Sequence, residues 1–194
     1  MPDARLLPVP CPIRRVTYAR RLLEPGRKRP VLVAGIATLV AALAATLLWP
    51  PPPVLVWNAS ASSPIGLYRL EPAAGVRAGD IVVAWPSDEA RALGAARHYL
   101  PRNVPLVKRV AAAAGDRVCA RSETIFVNDR RIATRLRTDP AGRPIPWWWS
   151  GCERLRGGDL LLLSPGIPLA FDGRYFGVSR SNRIVGRARL VWPR

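Results

Sequence analysis

The sequence predicts a mainly β protein with one short helix in its globular part, preceded by a single apolar helix near the N-terminus. Two observations lead to this prediction. Residues 31–49 form an apolar run in which only two threonines are polar. After it, short stretches of apolar and β-branched residues alternate with turn residues, a pattern typical of strands. At 194 residues, the chain is long enough for one globular domain and this helix.

The N-terminal part predicts a tail and a membrane anchor. Residues 1–29 are basic and contain scattered prolines, which predicts a disordered cytoplasmic tail. Residues 30–50 are expected to span the membrane, because a helix of this length crosses about 30 Å of hydrocarbon. The preceding positive charges predict that the N-terminus is inside. A cleaved signal peptide is the alternative, but the run is too long for an ordinary signal peptide and no small-x-small site follows it before the prolines.

The predicted outer domain covers residues 54–194, and we expect it to be periplasmic. Ser87–His98 is its one predicted helix, with Ser87 as the N-cap and acidic residues in the first turn. The predicted strands are Val54–Trp57, Gly66–Leu70, Asp80–Trp85, Val104–Val110, Thr124–Val127, Asp159–Leu163 and Arg187–Trp192.

The cysteines lie on both sides of the apolar run. Cys11 precedes it, on the reducing side, and is expected to be free. Cys119 and Cys152 follow it, in an oxidising compartment where a pair of cysteines usually bonds. We expect a disulfide between these two; separate buried thiols are the alternative.

The charged residues narrow the chemistry. A formal net charge of +17 suits an anionic membrane surface or a nucleic acid equally well. Of the 30 basic residues only Lys28 and Lys108 are lysines, and lysine, unlike arginine, can lose its proton when it is desolvated. The single histidine, His98, would have to serve any Ser-His-Asp triad, and a His-rich zinc site is excluded. We expect no metal and no cofactor.

The first candidate site is the serine-rich segment 58–68, NASASSPIGLY. Ser60 and Ser62 are two residues apart, so in an extended chain their side chains share a face. One hydroxyl could attack a carbonyl while the other donates a hydrogen bond to the developing oxyanion. Serine-rich turns before proline are also common without function. Ser63 is a rival nucleophile.

The second candidate site is the segment 104–116, which contains Lys108 among apolar residues. Such surroundings lower the pKa of an amine because they disfavour its charged form. A neutral lysine can then remove the proton of a serine hydroxyl. A lysine whose ammonium reaches solvent from an edge strand is the alternative.

Together these segments resemble the TraF-like conjugative-transfer signal peptidases, which belong to the wider type I signal peptidase group. Residues 58–68 fit the family's Asn-x-Thr/Ser-x-Ser-x-Pro-x-Gly-Leu-Tyr segment, 107–116 fit its lysine segment, and 171–177 fit its Phe-Asp-x-Arg-Tyr-Phe-Gly block. The resemblance implies a signal-peptidase-like β domain with a Ser-Lys dyad. It implies these roles: Ser62 as nucleophile, Lys108 as general base, Ser60 and the Ser62 amide as oxyanion donors, and Asp172 with Arg174 as a supporting pair.

Two departures from the family pattern matter. The housekeeping signal peptidases have their nucleophile three residues before the proline, where this chain has Ala61. Many relatives also have a serine two residues before the aspartate, which helps to orient the lysine, and this chain has Ala170. Either a water or another hydroxyl replaces that contact, or the lysine is held less firmly.

The resemblance implies a membrane-anchored serine endopeptidase that cleaves exported precursors, such as a conjugative pilin, at the outer face of the cytoplasmic membrane. Expected partners are the precursor, membrane lipid and the conjugation machinery, with no nucleic acid required. A non-catalytic, membrane-tethered binding or structural component of such a machine is the alternative. Trp147–Trp149 suit either the membrane interface or internal packing.

Overall fold

The structure is a computed structural model that describes residues 29–49 and 53–194. The expected tail and Cys11 lie outside the described residues. Helix α1, Arg29–Leu48, coincides with the apolar run and forms a unit separate from the globular domain. By length and composition it is a candidate membrane anchor or signal segment.

The globular domain is mainly β, as predicted, and its strands form two antiparallel sheets. The first sheet has six strands in the order β1-β2-β10-β3-β4-β9, and the second has four in the order β7-β6-β5-β8. The strands are β1 (Leu55–Asn58), β2 (Gly66–Glu71), β3 (Ile81–Ala84), β4 (Leu106–Ala112), β5 (Arg117–Arg121), β6 (Thr124–Val127), β7 (Arg130–Thr134), β8 (Gly151–Arg154), β9 (Leu161–Leu163) and β10 (Ile184–Pro193).

The seven predicted strands are all present, within a few residues of their predicted ends. Strands β5, β7 and β8 were not predicted, because arginine and other charged residues interrupt their apolar pattern. The predicted helix is α2, Asp88–Ala96, and the Ala90 amide donates to the Ser87 hydroxyl at 3.3 Å, which confirms the N-cap. In addition to α2, the domain has two one-turn helices, α3 (Gly173–Phe176) and a 3-10 turn at Ser181–Arg183.

One cluster of core residues lies where the two sheets meet. Side chains from β4, β5, β6 and β9 pack together there, including the buried Val118, Ile125 and Leu161. A second cluster joins β3, β4 and β9 through Val82, Val110 and other apolar side chains. Strands β4 and β9 contribute to both clusters and are therefore rigidly held.

The predicted disulfide is confirmed. Cys119 on β5 lies directly opposite Cys152 on β8, and the two are bonded. The bond closes the segment between them onto the smaller sheet.

The three tryptophans are half-buried and pack inside the domain. The indole N–H groups of Trp147 and Trp149 donate to the carbonyls of Leu136 and Gly173, at 3.2 and 3.0 Å. Trp148 packs with Phe171 and neighbouring apolar residues. Internal packing is thus the alternative that the contacts favour.

Candidate active site

An apolar cleft of about 690 Å³ brings the two candidate segments together. Ser60 and Ser62 line it from the segment after β1, and Lys108 lines it from β4. Most of the remaining lining is apolar, and it includes Val56, Leu100, Val104, Leu106, Leu136 and Ile145. His98 is exposed just after α2, outside this lining.

Lys108 is buried on β4, an interior strand of the larger sheet. Strand β4 pairs with β3 on one side, where Lys108 lies opposite Val82, and with β9 on the other. The residue is only 3% exposed, so it is not a lysine that reaches solvent from an edge strand. Burial lowers the pKa of Lys108 to about 8, since a charged amine loses its hydration there.

The Asp172–Arg174 pair changes the pKa of Lys108 less than burial does. The carboxylate of Asp172 raises the pKa of Lys108 and the guanidinium of Arg174 lowers it, and both effects are smaller than that of burial. A paired aspartate and arginine present little net charge to a neighbour. The amine therefore keeps the low pKa that desolvation gives it.

Ser164 is a site residue that the sequence did not reveal. The amine of Lys108 donates a hydrogen bond to its hydroxyl at 2.9 Å. Ser164 directly follows β9, and continuing the pairing of Arg109 with Leu163 by one residue places it opposite Lys108. Ala170 is buried and lines the same cleft. The sequence signal was weak: one serine at the end of a predicted apolar strand.

Asp172 and Arg174 hold the segment that carries Ser164. The Asp172 carboxylate is fully buried and accepts from the Ser164 amide at 2.8 Å. It also accepts from Nε of Arg174 at 2.8 Å, and Arg174 donates to the Ser164 carbonyl at 3.2 Å. Both backbone polar groups of Ser164 are thereby fixed by this ion pair.

Asn58 organises the serine segment. Its side-chain amide donates to the carbonyls of Ser60, Ser63 and Pro64, at 2.9 to 3.1 Å. Its carbonyl oxygen accepts from the Ser60 amide at 3.1 Å. An amide is the side chain that both donates and accepts in this way, which explains asparagine at the start of this segment.

Gly66 and Tyr68, at the other end of the segment, serve the fold. A Cβ on Gly66 would lie 2.2 Å from the Trp192 carbonyl oxygen on β10, so only glycine fits there. The Tyr68 hydroxyl donates to the Pro64 carbonyl at 2.7 Å. Asn58, Gly66 and Tyr68 thus shape the turn that presents the serines.

Ser60 and Ser62 are adjacent, with their hydroxyl oxygens 2.9 Å apart. The Ser62 amide also donates to the Ser60 hydroxyl at 3.3 Å. Ser62 is half-buried at the cleft, whereas Ser63 is buried with its hydroxyl bonded to the Val107 carbonyl. Among residues 53–194 the side-chain partner of the Ser62 hydroxyl is Ser60, and that of the Lys108 amine is Ser164.

No set of three or more His, Cys, Asp or Glu side chains within the described ranges could hold a metal ion. The two candidate segments contribute the Ser60 and Ser62 hydroxyls and the buried Lys108 amine to the cleft. The lining also includes polar side chains from outside the serine pair and the lysine: Asn58, Tyr99, Thr138, Asp139 and Tyr175.

Comparisons with known proteins show which family the chain belongs to. The family model described as signal peptidase, peptidase S26, matches residues 27–193. Two relatives, each named plasmid transfer protein TraF from Escherichia coli, are 35% and 31% identical over 146 and 150 residues. Each alignment covers 70% of this chain and 82% of the relative.

A solved structure of a signal peptidase I from Enterococcus faecalis V583 is also similar, with 18% identity and a TM-score of 0.32. The match covers 58% of this chain and 95% of that chain. The family match and the two relatives show that the chain belongs to the signal peptidase family, peptidase S26.

Proposed function

We propose that this protein is a serine endopeptidase in which Ser62 is the nucleophile and Lys108 the general base. The observation that carries the proposal is the state of Lys108: it is 3% exposed, its pKa is lowered to about 8, and it lines the same cleft as Ser62. An amine whose pKa is lowered this far is neutral in a fraction of the molecules near physiological pH, and in that form it can act as a base towards a hydroxyl.

The proposed reaction begins when the Ser62 hydroxyl oxygen attacks the carbonyl carbon of the scissile peptide bond. Lys108 takes the hydroxyl proton and then delivers it to the departing amine. The Ser60 hydroxyl and the Ser62 amide donate to the oxyanion. Water, activated by Lys108, then hydrolyses the acyl-enzyme.

Substrate binding has to rearrange the hydroxyls. The Ser60 hydroxyl and the Ser62 amide are bonded to one another, and both must turn towards the substrate to serve as oxyanion donors. The bond from Ser62 to Lys108 also has to form at this stage. Catalytic hydrogen bonds commonly tighten only in the complex with substrate. Both serines line the cleft together with Lys108, which is where the substrate would bind.

We further propose that α1 anchors the protein in the cytoplasmic membrane, with the N-terminus inside and the domain outside. The apolar length of α1 and the basic residues before it support this topology. The substrate would be an exported precursor protein. Since the curated relatives are named plasmid transfer proteins, a precursor used in plasmid transfer, such as a conjugative pilin, is the first one to test.

The test uses the full chain in detergent micelles. Its substrates are exported precursor proteins that are encoded by genes next to the gene of this protein. Cleavage is followed on gels, and the new N-terminus is sequenced. The variants Ser62→Ala and Lys108→Arg should each abolish cleavage, because the first removes the nucleophile and the second replaces the base with a side chain that keeps its proton.

The matched control is Ser179→Ala, which removes another buried serine hydroxyl, one outside the cleft lining. It should cleave like the wild type. Full activity of Lys108→Arg would exclude the dyad, and a wild-type protein that cleaves no precursor and forms no adduct with a serine-acylating probe would favour the binding component instead.

A further inference from the structure

We propose that Ser164 is the positioning residue that orients the Lys108 amine for proton transfer. The inference rests on the proposed function, because it concerns how the base of that reaction is held.

The geometry provides one firm contact to the amine. The Lys108 amine donates to the Ser164 hydroxyl at 2.9 Å, and Ser164 is 1% exposed. Water therefore has little access to compete for this hydroxyl. Since Lys108 and Ser164 continue the register of two adjacent strands, the contact follows from the pairing of the sheet.

The chemistry of a neutral amine explains why one fixed contact matters. Such an amine has two N–H bonds and one lone pair, and it rotates freely about the bond from Cε to Nζ. When one N–H is held by Ser164, the lone pair and the other N–H are confined to fewer directions. A base works only when its lone pair points at the proton that it removes. Ser164 thus limits the amine to orientations that include the one towards the cleft.

Besides its direct electrostatic effect on the pKa of Lys108, the Asp172–Arg174 pair positions the lysine through Ser164. Asp172 accepts from the Ser164 amide and Arg174 donates to the Ser164 carbonyl, at 2.8 and 3.2 Å. Within the described residues, the one side-chain hydrogen bond of the Lys108 amine goes to Ser164. The pair therefore fixes the backbone of Ser164, and the Ser164 hydroxyl fixes the amine.

Two kinds of variant test this role. Ser164→Ala removes the hydroxyl, and Ser164→Thr and Ser164→Val form a pair of equal shape that differs only in the hydroxyl. On a precursor that the wild type cleaves, we expect kcat to fall about tenfold in the alanine variant with KM unchanged, the size of one lost hydrogen bond. The threonine variant should be several times faster than the valine variant. Ser179→Ala should match the wild type.

A second measurement does not depend on activity. The chain has only two lysines, so labelling with lysine carrying 13C at Cε gives two side-chain signals, and Lys28→Arg assigns them. The hydroxyl accepts more strongly from the charged amine than from the neutral one. Its loss should therefore lower the Lys108 pKa measured by NMR titration in Ser164→Ala below the wild-type value.

Equal rates in the threonine and valine variants would overturn the proposal, and so would an unchanged or raised lysine pKa in the alanine variant. Should the alanine variant fail to fold, the threonine and valine pair decides. If the wild type cleaves no precursor, the proposed function fails, whereas the NMR titration still shows whether Ser164 holds the amine.

Discussion

The hydroxyl of Ser63 donates a hydrogen bond to the carbonyl of Val107 at 3.0 Å and so joins the serine segment to the residue before Lys108. The two residues are 44 positions apart in the chain. This contact fixes the serine segment beside β4. It also engages the Ser63 hydroxyl away from the cleft, while Ser62 and Ser60 line it.

The first prediction separates the two adjacent serines. Ser63→Ala should keep most of the peptidase activity and lower the free energy of unfolding by about 1 to 2 kcal/mol, since the buried Val107 carbonyl loses its side-chain donor. Ser62→Ala should abolish activity with little change in stability. Cleavage rates and thermal unfolding of both variants test this prediction. Loss of activity in Ser63→Ala together with retained activity in Ser62→Ala would make Ser63 the nucleophile.

The second prediction concerns pH and activity. With a pKa of about 8 for Lys108, the amine is neutral in about a tenth of the molecules at pH 7 and in about nine tenths at pH 9. The value of kcat/KM should therefore rise with pH and level off above about 8. An inflection near pH 6.5, the usual range of a histidine, that disappears in His98→Gln would contradict the assignment of the base.

The third prediction concerns pH and stability. The pKa of Lys108 is about 8 in the folded protein, against 10.5 as its ordinary value. Between these two values the unfolded chain binds more protons, so the stability of the wild type rises with pH there. Below pH 8 both states are protonated, and the full penalty of a buried charge is present.

Lys108→Met removes this penalty, so it should raise the unfolding temperature at pH 7, by an amount equivalent to at most about 3 kcal/mol. The gain should shrink as the pH rises towards 10. Thermal unfolding of both proteins from pH 6 to 10 is the measurement. A lower unfolding temperature for the methionine variant throughout would contradict the penalty.

The fourth prediction concerns the buried ion pair. Asp172→Asn leaves the guanidinium of Arg174 buried without its carboxylate, which should cost about 3 to 5 kcal/mol. Glu153→Gln is the matched control, because it breaks the exposed pair with Arg180 and should cost less than about 1 kcal/mol. Chemical unfolding compares the two, and equal costs would show that burial of the Asp172 pair is unimportant.

The fifth prediction concerns the disulfide. Replacing Cys119 and Cys152 together with serine reopens the loop between them and should cost about 3 to 4 kcal/mol by the chain-entropy estimate for their separation of 33 residues. Since neither cysteine lines the cleft, the folded variant should keep its activity. Reductant should lower the unfolding temperature of the wild type towards that of the variant. Cys11→Ser is the control, and it should change neither the unfolding temperature nor the activity.

Much of the fold was predictable because it follows from local patterns. The apolar run of α1 and the capping serine of α2 are visible in a few neighbouring residues. The same holds for strands with an apolar or β-branched sequence. Strand β7, with the sequence RRIAT, has no such pattern, and it is a strand because β6 supplies its hydrogen-bond partners.

For the site, the sequence by itself determined which residues are chemically suited to catalysis. These are a lysine in a chain whose other basic residues are almost all arginines, two serines two positions apart, and an aspartate two positions before an arginine. Only the tertiary structure decided that Lys108 is buried, that its amine contacts Ser164, and that Ser63 is bonded to Val107. The physical reason is the distance along the chain between the residues that interact. Residue type and spacing report on local backbone preference, whereas the partner of a buried side chain depends on the register of strands that are distant in the chain.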